Sequence, residues 1–185
     1  FQLDLYQAGI FRNVNTYGDE PSESLAKTYT TTGGWNWRVG GKGVAFSPLR
    51  GAPFWTAGRI SFGRNNDVDS YQGYVFAESI NTWEANSWLA LNLNPKLAWS
   101  GVSDPWGVGF SANIQISQSF QLIPEINIVG SHFDASNGTV ALRWLAEPES
   151  MHVDIYLSNA AGIFDMAQFI RSEELRVGGR ISFLF

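Results

Sequence analysis

The chain has 185 residues, a net charge of −5, no cysteine, and 16% charged against 15% aromatic residues. This balance excludes a disulfide scaffold and thiolate metal chemistry, and argues against nucleic acid as a partner. No run approaches the roughly 18 continuous apolar residues of a spanning helix, so a chain of this kind crosses a membrane only as a closed barrel.

Phe1, Leu3 and Leu5 alternate with Gln2, Asp4 and Tyr6, a first strand that loosens at Gly9 before Arg12. Residues 13–27 are polar, acidic and broken by Gly18 and Pro21, which predicts a long exposed loop. Tyr29 to Phe46 reads as one long bent strand with a bulge at Gly40-Gly41, or as two strands that turn there. After a turn over Ser47 to Pro53, Phe54 to Arg64 alternates again. Asn65 to Ser70 is a polar loop, and Tyr71 to Trp83 is strand-rich with no winning parity. Ser87 to Trp99 sets Leu89, Leu91, Leu93, Leu97 and Trp99 against Ala90, Asn92, Asn94 and Lys96, with Pro95 inside the strand.

The clearest signal is a hairpin. Trp106, Val108, Phe110, Ala112, Ile114 and Ile116 share one face, and after Gln118-Ser119 the same face continues through Phe120, Leu122, Pro124, Ile126 and Ile128. Its strands of ten or more residues exceed the usual five or so and suit a tilted crossing of a hydrocarbon layer. Beyond the loop Ser131 to Asn137, Val140, Leu142 and Trp144 form a strand, and Met151, Val153, Ile155 and Leu157 form the next after the turn Glu147 to Ser150. Asn159 to Glu173 reads as a long loop holding a short helix around Met166 to Ile170. Leu175 to Phe185 is the last strand.

About ten strands result, in one domain over 1–185, with long and short connections in alternation. That asymmetry predicts a closed antiparallel up-and-down transmembrane β-barrel with its long loops on one rim. Rings gather at both rims. Trp88, Phe120, Phe183 and Phe185 fall near the short turns and Trp99 and Trp106 near the long loops, as residues meeting the membrane interface would.

The strand Leu175 to Phe185, alternating and ending on an aromatic residue, resembles the C-terminal strand of bacterial outer-membrane β-barrel proteins. The resemblance implies residence in the outer membrane of a bacterial cell, with membrane lipid around the barrel and Phe185 read by the barrel-assembly machinery. LNLNPKLAWSG, LIPEINIVG and VDIYLSNAAG are similar to uncharacterised barrel proteins of cyanobacteria, a likeness that carries no activity. A chain that opens at Phe1 reads as processed or trimmed, and the C-terminal part of a wider porin is a further reading.

If the apolar parity faces lipid, the opposite parity lines a lumen that contains Asp4, Arg59, Lys96, Glu125, Arg143, Asp154, Arg176 and Arg180. Closure brings Arg176 and Arg180 towards Asp4 and Asp154. Such a set serves either as a salt-bridge network holding a narrow barrel or as a charged constriction selecting small polar solutes. Barrels of about eight strands are filled by side chains and open channels begin at about sixteen, so this lumen is expected to be nearly occluded. Small residues at Gly107, Gly109, Ser111 and Gly178 leave room for a thin water path.

Two other classes compete. A soluble lipocalin-like barrel would turn the same apolar parity inward around a greasy ligand. A barrel hydrolase would use His132, beside Asp134, or His152, beside Asp154, but no nucleophile stands at a recognisable spacing and no enzyme activity is expected. Asp19, Glu20, Asp67 and Asp69 share predicted loops without matching a Ca²⁺-loop spacing, and no phosphate-binding glycine loop opens a helix, so no metal or cofactor is expected.

Overall fold

Alternation of apolar and polar residues over ten-residue stretches dictates strands, and the short polar breaks between them dictate antiparallel neighbours. The computed structural model describes residues 2–6, 36–65, 73–100, 104–130, 135–146, 151–160 and 165–183. They form β1 (Gln2–Tyr6), β2 (Asn36–Phe46), β3 (Trp55–Asn65), β4 (Gly73–Asn86), β5 (Leu89–Trp99), β6 (Trp106–Ser117), β7 (Phe120–Val129), β8 (Asn137–Ala146), β9 (Met151–Ala160) and β10 (Arg171–Phe183). Each strand pairs antiparallel with its neighbours in sequence, giving one ten-stranded up-and-down sheet. Among the described residues there is no α-helix and no ladder joining β1 to β10. The observed fold is therefore an all-β meander, with barrel closure not observed.

The sheet turns its apolar parity outward. Leu91 is 40%, Phe110 44%, Ile126 51% and Ile155 60% exposed, and Trp83, Leu93, Leu97, Leu142 and Leu157 are exposed with them. The polar parity is covered instead, with Glu78, Lys96, Asn127, Asn137, Asp154 and Ser158 all buried. Soluble sheets do the reverse, because exposed apolar area costs free energy in water.

Each of the two in-strand prolines interrupts the ladder on one side. On the β4 side of Pro95 the pairing steps from Glu78↔Lys96 to Asn81↔Leu93, and on the β6 side of Pro124 it steps from Ser111↔Glu125 to Ile114↔Leu122. Pro95 brings no N–H to the ladder. Side-chain amides fill that gap: Asn81 Nδ2 donates to the Leu93 carbonyl at 2.8 Å and more weakly to the Ser79 carbonyl at 3.4 Å, while the Asn81 N–H donates to Asn94 Oδ1 at 3.2 Å.

Several boundaries differ from expectation. β2 runs unbroken through Gly40-Gly41 and its irregularity falls between Val44 and Phe46, while 29–35 lie outside the described residues. β4 extends to Asn86, so its hairpin turns at Ser87-Trp88. The predicted loop over 159–173 is shorter: β9 runs to Ala160, a 3-10 helix covers Asp165–Phe169, and β10 starts at Arg171. A register shift between Arg171 and Arg176 hides the start of β10 in the sequence, since Ser172, Glu173 and Glu174 carry no apolar alternation.

The 3-10 helix positions the site. It folds back onto the covered face of the sheet, where Phe169 and Ile170 join Phe76, Ala98, Val129, Ala135 and Tyr74 in one buried apolar cluster. The Phe169 and Phe76 rings meet at 6.0 Å in a tilted arrangement. Burial of a side chain such as Phe169 contributes roughly 1.5–3 kcal/mol, which fastens this connection to the wall it crosses.

Candidate functional site

Register places four positions in one row across the covered face: Arg59 on β3 is the partner of Glu78 on β4, Glu78 of Lys96 on β5, and Lys96 of Gly107 on β6. Opposite charges thus alternate between adjacent strands. Arg59 Nη1 lies 3.5 Å from Glu78 Oε2, and Lys96 Nζ lies 3.7 Å from Glu78 Oε1 and 3.8 Å from Glu125 Oε1. Glycines make the room: a Cβ at Gly109 would stand 3.0 Å from Lys96 Nζ, and one at Gly107 would stand 3.2 Å from the Phe169 ring.

The 3-10 helix completes the cluster from above this row. Asp165 accepts from Arg59 Nη2 and from the Tyr74 hydroxyl, the latter at 2.9 Å. Gln168 accepts from Lys96 Nζ through its side chain and, through its carbonyl, from Asn137 Nδ2 at 2.7 Å. Lys96 also donates to Asn127 Oδ1 at 2.6 Å, and Asn127 Nδ2 passes the network to Asn137 Oδ1 at 3.2 Å. The Arg59 guanidinium sits 5.2 Å over the Phe76 ring. Charges taken from water need partners on every side, and this network supplies them from β3, β4, β5, β7, β8 and the 165–170 segment.

A second pair lies nearer the short turns. Arg143 on β8 grips Asp154 on β9 with two bonds, Nε to Oδ1 at 2.7 Å and Nη2 to Oδ2 at 3.0 Å. Arg180 on β10 is the backbone partner of Asp154, and its Nε donates to Ser182 at 2.7 Å. His152 Nε2 stands 4.0 Å from Asp154 Oδ2 and is buried without a hydrogen-bond partner among the described residues. That separation lies beyond direct hydrogen-bond reach.

Of the eight residues expected in the lumen, Arg59, Lys96 and Glu125 come together in the first cluster and Arg143 and Asp154 in the second. Arg180 neighbours the second, and Arg176 is the backbone partner of Ser158. Asp4 is the backbone partner of Gly40, and the description of its side chain lies outside the described residues. Its expected meeting with Arg176 and Arg180 would cross the β1–β10 boundary, where no pairing is observed. Trp88, Trp99, Trp106 and Phe120 are all exposed, Trp88 and Phe120 at the short turns and Trp99 and Trp106 at the opposite ends of their strands. Trp55 turns to the covered parity and donates to Glu84 Oε1 at 3.0 Å. The Phe183 side chain, Phe185, His132, Asp134, Asp19, Glu20, Asp67 and Asp69 lie outside the described residues.

Sequence reasoning missed Tyr74, Glu78, Asp165 and Gln168. The first two sit on β4, whose parity is obscured because its covered face carries the aromatic residues that receive the 165–170 segment. Asp165 and Gln168 carry no local signal, since their partners are far away in sequence. No family model, curated protein or solved structure matches the chain.

Proposed function

We propose that this chain is an integral β-barrel of a bacterial outer membrane, closed by pairing β10 with β1, with a polar, charge-paired lumen. One observation carries the reading: along β3 and β5 to β9 the apolar parity is exposed and the polar parity is covered. Lipid tails are the environment in which that arrangement is stable, and a closed barrel is the one sheet that leaves no unpaired edge in lipid. The same observation weighs against a lipocalin-like container, which needs the opposite orientation. Exposed Trp88, Trp99, Trp106 and Phe120 at the two strand ends suit interfacial girdles.

In this reading the barrel is a narrow porin-like channel shut at rest, because the 165–170 segment packs over the covered face near the long connections, while the Arg143–Asp154 pair ties adjacent strands β8 and β9 nearer the short turns. A purely structural or anchoring barrel is the second form of the same reading, favoured by the ion pairs that link neighbouring strands. The C-terminal strand to Phe185 then serves as the signal for the assembly machinery, and small polar solutes are the only cargo such a lumen admits.

Refolding the purified chain tests the proposal. It should require detergent, migrate faster on a gel unheated than boiled, and give small or absent conductance in planar bilayers. Solubility as a monodisperse protein in plain buffer would overturn the membrane reading. Large, always-open conductance would overturn the shut lumen.

A further inference from the structure

Arg59 and Tyr74 are arranged as a receptor for a carboxylate, and the chain fills it with one of its own. Asp165 accepts through Oδ1 from Arg59 and through Oδ2 from the Tyr74 hydroxyl, the latter at 2.9 Å. The donors belong to the wall and are held there independently of Asp165. Arg59 is flanked by Glu78 at 3.5 Å and by the Phe76 ring at 5.2 Å, and the Tyr74 ring lies on Gly63, where an added Cβ would come within 2.2 Å of it.

Asp165, by contrast, belongs to the β9–β10 connection and reaches the wall with a backbone φ of 48°, a left-handed conformation that side-chain-bearing residues adopt only at a cost. Ser61, two residues from Arg59 on the same face of β3, is buried with its hydroxyl unpaired among the described residues.

We infer that Arg59 and Tyr74 form a binding site for a small carboxylate-bearing solute on the lumenal wall, and that Asp165 is the internal ligand occupying it at rest. The inference rests on the lumen assigned under the proposed function. A tethered ligand competes at an effective concentration on the order of millimolar, so an external carboxylate displaces Asp165 only when abundant. Displacement frees the 165–170 segment from one of its polar anchors, which couples solute binding to opening of the lumen.

Calorimetric titration of the refolded full-length protein with acetate, and separately with inorganic phosphate, tests this site. Asp165→Asn should bind acetate about tenfold or more tightly than the unaltered protein, because the competing charge is gone while the shape is kept. Adding Arg59→Gln to that variant should abolish binding, and adding Tyr74→Phe should weaken it. Equal acetate affinity in Asp165→Asn and the unaltered protein, or binding that survives Arg59→Gln, would overturn the inference. Tighter binding of phosphate than of acetate would overturn the carboxylate assignment. Asp165→Ala replaces Asp165→Asn if the latter does not refold. The titration reads the same way with or without detergent, so a protein that dissolves in plain buffer and still binds acetate would sink the membrane reading and spare the site.

Discussion

Arg59 and Asp165, 106 residues apart in sequence, form an ion pair that ties β3 to the connection between β9 and β10. Arg59→Gln leaves Asp165 and Glu78 without their shared cation. Breaking a buried pair from one side costs about 3–5 kcal/mol, so the urea midpoint should fall well below that of the unaltered protein. Asp165→Asn should cost less, because the amide keeps one acceptor for the Tyr74 hydroxyl. A double-mutant cycle on the two should give a coupling above about 1 kcal/mol, and strict additivity would contradict the pairing.

Gly63 is required by the ring above it. A Cβ at this position would lie 2.2 Å from Tyr74 Cε1, so Gly63→Ala must push Tyr74 away from Asp165. Destabilisation of about 1–3 kcal/mol is expected, as for other overpacked sites. In a Tyr74→Ala background the same substitution should be nearly neutral, which an unfolding titration of the four proteins would reveal.

Asn81 repairs the ladder that Pro95 breaks, by bonding the carbonyls of Leu93 and Ser79 from an outward-facing position. Asn81→Ala leaves those acceptors short of a donor at a cost of about 1–3 kcal/mol, more in lipid than in detergent. With Pro95→Ala the strand regains a backbone N–H, and the loss on removing Asn81 should shrink. An equal loss in both backgrounds would argue that the amide has another role.

Outward-facing apolar residues provide the sharpest test of environment. Ile155 lies mid-strand on β9 and is 60% exposed. If lipid surrounds it, Ile155→Arg should destabilise by about 2–4 kcal/mol, whereas Ile116→Arg, near the end of β6, should cost about 1 kcal/mol or less. In a water-exposed sheet both changes should fall within about 0.5 kcal/mol of neutral. Folding equilibria in lipid vesicles distinguish the two patterns.

The sequence exposes most of the strand framework and little of the site. β6 and β7 could be read to the residue because every second position is apolar and their turn is short. β4 could not, because Tyr74 and Phe76 put large rings on the covered face and Ser79 and Asn81 put polar groups on the outer one. Arg59, Lys96 and Glu125 are legible as residues of the polar parity because strand parity is a local property. Their partners Asp165 and Gln168 are not, because a connection shows where it docks only once the wall exists.

That docking has a kinetic consequence. The landing site for 165–170 is assembled from β3, β4, β5 and β8, all long-range in sequence from the segment itself. Closing such distant contacts is slow, so the segment should settle after the rate-limiting step, once the sheet has formed. Phe169→Ala should then leave the refolding rate almost unchanged and accelerate unfolding, as stopped-flow fluorescence would resolve. The segment docks last and leaves first, and the lifetime of the docked state is governed by a few residues that the folding nucleus never uses.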